Sequence, residues 1–460
     1  MVPKPEGYPL SDRAHTAAWL AREGLRDIDE RMAQAVRALV TRQFPRARRI
    51  AVLAGQGGNG RQAQAVARWY RETGLAVSLV RPGERGDPAL AQSDVIVDGL
   101  IGAGLHGPLA DPYRVLTEAA AASGRPVVAI DGPTGLGLDT GEAREGSLRA
   151  THTIACGVRA IGLMTGAGRE YSGQVHVAEI GRAMERDSAA AWALGFGDLA
   201  ALRPARRQDA HKGSVGTLAI AGGGPGMPGA LRLGAEAALR AGAGLVIGLT
   251  HASHAPALAA AFPELIAVPA LESPASLARA RWLIVGSGLG RETFAQRVWQ
   301  VAGACEKPLL VDGDGLYWLA RAPERRPDWI LTPHEGEAAR LLGVSAAAIA
   351  GDRPSAVVRL QERYGGVCVL KGAGTLIADG DGLWLCPFGN AAMATAGMGD
   401  ALAGIIGALA VQGLEASAAA RLGVCVHALA GDRARASRGA RGLLASDVIA
   451  EVPAVLETLC

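Results

Sequence analysis

The chain has 460 residues, 49% apolar and 20% charged, with a formal charge of +3. That length exceeds one ordinary core, so two domains are expected. The near-neutral charge, with Arg and Glu interleaved, gives no nucleic-acid stripe. Six cysteines without a Cys-x-x-Cys spacing indicate neither a zinc cage nor a disulfide framework, and they read as reduced thiols in a cytoplasm. No apolar h-region opens the chain, and its most apolar helix candidates, such as Ala401 to Gln412, are too short to cross a bilayer. A soluble cytoplasmic protein with no nucleic-acid or membrane partner is expected.

In chain order, the first residues read as an arm and Thr16 to Val40 as one amphipathic helix. From Arg49 the pattern becomes strand, glycine-rich turn, helix: RRIAVLA, GQGGNG, RQAQAVARWYRETG. LAVSLV, DVIVDGLIG, PVVAIDGPTG and VHVAEIG follow as short β-branched runs, the alternation of a parallel sheet covered by helices. Between Ala183 and Arg207 the strand signal vanishes and a linker is predicted. A second series then runs TLAIAGG, AGLVIGL, WLIVGSG, PLLVDGDG, WILTPHEGE, VCVLKGAG. The predicted organisation is α/β throughout: domain 1–182, linker 183–207, domain 208–460.

Ligands of parallel α/β sheets sit at the carboxyl ends of strands. In the second series those ends carry GSGLG (Gly286 to Gly290), Asp312-Gly313-Asp314, Thr332 with His334, Glu335 and Glu337, and Lys371 with two glycines. AGMGD then opens an apolar helix: Gly397, Met398 and Gly399 would offer amides as an anion hole, with Asp400 as a base beside it. On this stretch alone Asp400 also reads as an N-cap. The sum points to phosphoryl transfer without a Walker motif, since no G-x-x-x-x-G-K-[ST] occurs. GQGGNG also fits G-x-G-x-x-G, the mark of a dinucleotide-binding oxidoreductase. The next strand, however, ends in Arg81 where an NAD site needs an acid, and no hydride-transfer constellation follows.

Taken together, HKGSVG, PGALRLGAEAALRAGAGLV, GLG, TPHEGE, LKGAGT and GMGD resemble, in order, the dehydratase half of the bifunctional NAD(P)H-hydrate repair enzymes, a ribokinase-like fold, over roughly Gln208 to Asp447. The resemblance implies an ADP-dependent reaction on hydrated NAD(P)H. ADP phosphorylates the added hydroxyl, phosphate leaves by elimination, and NAD(P)H and AMP result. It implies Asp400 as the base, and Lys371, Gly372, Ala373, Gly374, Thr375 and Gly399 around the adenine nucleotide. Ala230, Gly288, His334 and Asp400 would meet the hydrated dinucleotide, and Asp312, Asp314 and Glu337 would organise Mg2+. Met398 stands where the family usually has Thr.

The earlier order AGQGGNG, VDGLIGAGLHGPL, AIDGPTGLGLDTG and CGVRAIGL is similar to the Rossmann-like epimerase half of the same family, which interconverts the two hydrate stereoisomers. That likeness implies Asp131 as the catalytic carboxylate and Asn59, Asp98 and Thr134 as potassium ligands. Gly58, Gln62, Asp131 and the loop Gly102, Ala103, Gly104, Leu105, His106, Gly107 and Pro108 would hold substrate. It also implies a homo-oligomer. Three departures stand out: Gly58 replaces an Asn, Gln62 an Asp, and Ala160 a Lys, so a working epimerase and a non-catalytic scaffold both remain open. Two further readings of the whole chain are a ribokinase-like kinase of a small alcohol and a nucleotide-binding regulatory protein.

Overall fold

The computed structural model describes residues 6–23, 27–84 and 86–459. It divides into two compact units, one comprising Tyr8–Trp192 with Ala350–Arg353, the other Ala193–Ile349 and Pro354–Cys460 with the residues up to Gly7.

In the first unit six strands form one sheet: β1 (Arg49–Ala54), β2 (Ala76–Val80), β3 (Val95–Gly99), β4 (Val127–Ile130), β5 (His152–Cys156) and β6 (Gln174–Ala178). They are all parallel, in the order β2-β1-β3-β4-β5-β6. β3, β4 and β5 are buried along their whole length, which is why they read as unbroken apolar runs rather than alternating ones. Strand order reverses at β1, so the crevice at its carboxyl end is where a ligand is expected. Helix α1 (Arg13–Glu23), α2 (Ile28–Gln43) and α3 (Gly58–Glu72) lie in the same unit. The single helix anticipated over Thr16 to Val40 is therefore replaced by α1 and α2, and residues 24–26 lie outside those described. Asp27, in the left-handed region (φ 60°), occupies the N-cap position of α2 without a side-chain capping bond. The anticipated arm is also corrected: Tyr8–Ser11 is a short strand whose Leu10 and Ser11 pair with Arg159 and Ala160, while residues 1–5 lie outside the description.

The second unit carries β7 (Thr217–Ala221), β8 (Leu245–Thr250), β9 (Leu265–Pro269), β10 (Trp282–Val285), β11 (Leu309–Val311), β12 (Trp329–Leu331), β13 (Val367–Leu370), β14 (Leu376–Asp379) and β15 (Gly382–Leu385). Their order is β9-β8-β7-β10-β11-β12-β13-β14-β15, parallel up to β13 and then antiparallel. Helix α4 (Pro228–Arg240) packs on α5 (Met398–Val411). From Ala401 to Val411 every residue of α5 is buried, so it forms a core helix. Next in the chain is α6 (Ala416–Arg438). The stretch expected to be a linker is not devoid of structure, since Ala191–Ala193 forms a strand and Phe196–Leu202 a helix. A three-residue strand lacks the length from which periodicity can be read.

Candidate active site

The strand ends of the second unit bring a charged cluster together. Lys371, just past β13, places Nζ 2.6 Å from Asp312 Oδ1 beyond β11 and 3.8 Å from Glu337 Oε2. The Thr332 hydroxyl donates to the same Asp312 oxygen at 2.8 Å. Burial works against the Lys371 charge, but Asp312 and Glu337 outweigh it and hold its pKa above the ordinary value. Burial raises Glu337, and the nearby Lys371 only partly offsets it. The His334 amide donates to Glu337 Oε2 at 2.8 Å, while the exposed His334 ring accepts from the Gly336 amide at 3.0 Å.

The glycine turn of α5 lies against this cluster. Gly397 adopts φ 85°, a conformation costly to residues with a Cβ, and ends the loop that delivers Met398 and Gly399. A Cβ on Gly399 would stand 3.3 Å from Lys371 Nζ and 3.5 Å from Asp312 Oδ2, so bare backbone faces the ion pair. Asp400 follows in the first turn, where amides point outward and a negative charge is favoured. Burial and then the charge of Asp312 push its pKa up to about 6, against the opposing pull of Ser287 and Lys371.

Other anticipated residues fall around the cluster. A Cβ on Gly288 (φ 56°) would meet the Ala230 side chain at 2.8 Å, so these two are neighbours. Thr375 Oγ1 donates to the Gly372 carbonyl at 3.0 Å and closes the Gly372-Ala373-Gly374 turn, with Gly374 at φ 64°. The expected magnesium carboxylates do not form a cage. Asp312 is held by Lys371 and Thr332, Asp314 accepts from the Gly290 amide at 2.9 Å and pairs with Arg291, and Glu337 caps His334. Among the described residues no three His, Cys, Asp or Glu side chains are grouped to hold a metal. Two nearby groups escaped the sequence reading: Ser287, within GSGLG, and His427 on α6. Burial, with the charge of Lys371, lowers the His427 pKa to about 4, so it is neutral.

In the first unit a cavity of about 670 Å³ is lined by residues that include Asn59, Gln62, Ala103, Asp131, Cys156 and Ala160. This is an ordinary size for a small-molecule pocket. Asp131 ends β4 in the left-handed region (φ 66°), a strained backbone for a residue with a side chain. Burial raises its pKa, and its Oδ2 accepts from the Ala103 amide at 3.3 Å. Gln62 is 8% exposed and its Oε1 has no partner. Asp98 is buried, accepting from the Thr134 hydroxyl at 2.7 Å and the Thr134 amide at 2.8 Å. Asn59 Nδ2 donates to the Ile130 carbonyl at 2.7 Å. Of the loop from Gly102 to Pro108 only Ala103 lines the cavity. Gly102 packs on the Asn59 side chain, and the His106 ring lies 3.3 Å from Arg13 Nη1. Gly58, Gly104, Leu105, Gly107 and Pro108 are not among its lining residues. Arg13, pinned by Asp139 at 2.6 Å, also lines the cavity, although it lies in no recognisable motif.

A mostly parallel sheet whose strand ends surround a glycine-opened helix and a buried lysine–carboxylate pair defines the second unit as a ribokinase-like α/β domain. In agreement, it resembles a ribokinase-like superfamily protein of Enterococcus faecalis (TM-score 0.54, 25% identity, 58% of this chain and 96% of that one). It also resembles the ADP/ATP-dependent NAD(P)H-hydrate dehydratase of Bacillus subtilis co-crystallised with ATP and Mg2+ (TM-score 0.52, 28% identity, 58% and 97%). The NAD(P)H-hydrate dehydratase family model matches residues 218–454, and the model of the YjeF-related protein N-terminus matches 27–93 and 80–162. Over whole chains, the protein is 39% identical to the bifunctional NAD(P)H-hydrate repair enzyme Nnr of Coxiella burnetii, covering 90% of this chain and 91% of that one. It is 38% identical to the Nnr of Escherichia coli, covering 90% and 86%. The chain belongs to the bifunctional NAD(P)H-hydrate repair enzyme family.

Proposed function

We propose that the chain restores hydrated NAD(P)H in two steps, epimerisation in the first unit and ADP-dependent dehydration in the second. The observation that carries the dehydratase is the packing of the Gly399 backbone and Asp400 on the Lys371–Asp312 pair. Asp400 takes the proton of the substrate's added hydroxyl as its oxygen attacks the β-phosphorus of ADP, and AMP departs. Lys371 offsets phosphate charge, and the amides of Gly397, Met398 and Gly399 bind the transferring group's oxygens. Because the amide is the donor, Met398 serves in place of Thr. The C–O bond of the new phosphate ester then breaks, inorganic phosphate leaves with the bonding electron pair, a proton is lost from the adjacent ring carbon, and the ring double bond re-forms. Hydroxide leaves poorly, whereas phosphate leaves well. Gly372, Ala373, Gly374 and Thr375 wrap the nucleotide, while Ala230, Gly288 and His334 line the hydrated dinucleotide. Mg2+ brought with the nucleotide would supply positive charge to its phosphates, and no side chain of this chain is assigned to it.

In the first unit Asp131 is the catalytic carboxylate, with Gln62 hydrogen-bonding substrate rather than acting as a base. The oxygens of Asn59, Asp98 and Thr134 are hard donors that suit K+. Gly58 and the loop from Gly102 to Pro108 border the substrate. The cavity at the strand ends and the strained Asp131 support this reading over a mere scaffold. A cytoplasmic homo-oligomer is the expected form, and no described helix is long and apolar enough to cross a membrane.

The test is product stoichiometry. One AMP and one inorganic phosphate should accompany each NADH restored from its hydrate with ADP. A small-alcohol kinase would instead keep the phosphoryl group on its product. That alternative is not favoured, because the whole-chain matches are to repair enzymes.

A further inference from the structure

Arg13 is the first residue of α1, and the short strand before it decides where its side chain lies. Ser11 pairs with Ala160, itself a lining residue of the first unit's cavity, so the chain enters α1 beside that cavity. The strand it pairs with brings no charge there. Ala160 has none to bring, and the Arg159 guanidinium lies 4.3 Å from the Tyr8 ring centroid, away from the lining.

Asp139 fixes the Arg13 side chain. The Arg13 amide donates to Asp139 Oδ1 at 2.8 Å and its Nε to Asp139 Oδ2 at 2.6 Å, so one carboxylate grips backbone and side chain together. Nη1 rests against the His106 ring at 3.3 Å, and Nη2 has no hydrogen-bond partner among the described residues. A pair as exposed as this one contributes little to stability. It does hold the two outer nitrogens of a guanidinium in one place, a fork that suits phosphate oxygens.

The cavity has need of such a cation. Among the described residues six carboxylates and three arginines line it, so an anionic ligand would meet mostly like charge. Arg61 is paired with Asp29 at 3.0 Å and is 66% exposed, and Arg68 lies further along α3. Arg13 touches His106 of the loop from Gly102 to Pro108, and the Ala103 amide of that loop donates to Asp131. One loop therefore links the cation to the carboxylate assigned to catalysis. With the nicotinamide ring of a hydrated dinucleotide at Asp131, the nearest anion is the pyrophosphate, one ribose away. The 2′-phosphate that distinguishes NADPH sits on the other ribose, at the far end.

We infer that Arg13 is a further substrate-binding residue of the first unit: Nη1 and Nη2 take the pyrophosphate of the hydrated dinucleotide, and Asp139 is the positioning residue that aims them. The inference rests on the epimerase reading of this unit.

The test follows interconversion of the isolated hydrate stereoisomers by chromatography, in the full chain and without ADP, so that dehydration does not proceed. Arg13→Gln should raise KM roughly tenfold, the factor of one hydrogen bond to a charged group, with kcat little changed. The rise should be the same for the hydrates of NADH and NADPH. Arg13→Lys, which keeps the charge, should recover part of the loss, and Asp139→Asn should raise KM by a smaller factor. The parental KM should climb with salt more steeply than that of Arg13→Gln. If Arg13→Gln and Asp139→Asn lower Tm but keep the parental KM, the pair is only a staple and the inference is overturned. A rise confined to the NADPH hydrate would overturn the pyrophosphate assignment. If Asp131→Asn interconverts the isomers as fast as the parent, the epimerase reading itself falls and the role of Arg13 with it.

Discussion

Lys371 and Asp312 meet at 2.6 Å from the ends of β13 and β11, on either side of β12, and the Gly399 backbone lies over the pair. The side chains are 19% and 4% exposed, so each charge is largely withdrawn from water and depends on the other. The pair also leaves the cluster with a cation at the place where phosphate would arrive.

Replacing Lys371 with Ala strands Asp312 without its counter-charge. The expected loss is about 3 kcal/mol of stability, as for other broken buried pairs. Denaturant unfolding checks it, and calorimetric titration with ADP should show weakened binding under conditions where the variant is folded.

Asp400→Asn removes the base and keeps the shape. Activity should fall by about two to four orders of magnitude. A residue serving only as an N-cap would instead cost on the order of 1 kcal/mol of stability with little effect on rate. Steady-state kinetics beside thermal unfolding separate the two.

The pKa of Asp400, pushed up to about 6, sets the acid limb of the dehydratase. Only the ionised carboxylate accepts a proton, so kcat/KM should be flat above that value. It should fall tenfold per pH unit below it. A pH series on the parent chain, with the substrate's own acid lability subtracted, measures the limb.

Gly397→Ala forces a side chain into φ 85° and drives its Cβ to 2.5 Å from Leu233 Cδ1. A cost of about 1–3 kcal/mol follows from the backbone alone. Misplacement of the amides should lower kcat as well, which a Gly at this position in any other role would not require. Unfolding and rate measurements on one preparation provide the check.

Asp131→Asn tests the first unit. With a mixture of hydrate stereoisomers, the variant should restore NADH quickly and then stall near half, while the parent continues. Parent and variant stalling alike would make the first unit a scaffold.

Much of this arrangement was legible in the sequence because fully buried parallel strands are written as short β-branched runs, and their glycine-rich ends mark where a ligand approaches. Asp131, Asn59, Lys371 and Asp400 all lie at such ends or at the helix starts beside them. The paired strand Tyr8–Ser11 was not legible, since two residues pairing with Arg159 and Ala160 leave no period. The division into α1 and α2 was hidden because one amphipathic pattern spans both, and Asp27 in the left-handed region is no signal by composition. Ser287 was passed over because a serine between glycines reads as loop. Its burial is visible only in three dimensions. Of the carboxylates expected to organise magnesium, Asp312 and Asp314 are engaged by Lys371, Arg291 and the Gly290 amide, all remote in sequence, whereas Glu337 accepts from the nearby His334 amide.

The most direct test of the central claim follows NADH absorbance from a mixture of both hydrate stereoisomers with Mg2+, with and without ADP. Recovery that requires ADP and runs to completion faster than spontaneous isomerisation is the predicted result. No recovery with either ADP or ATP would contradict the dehydratase assignment.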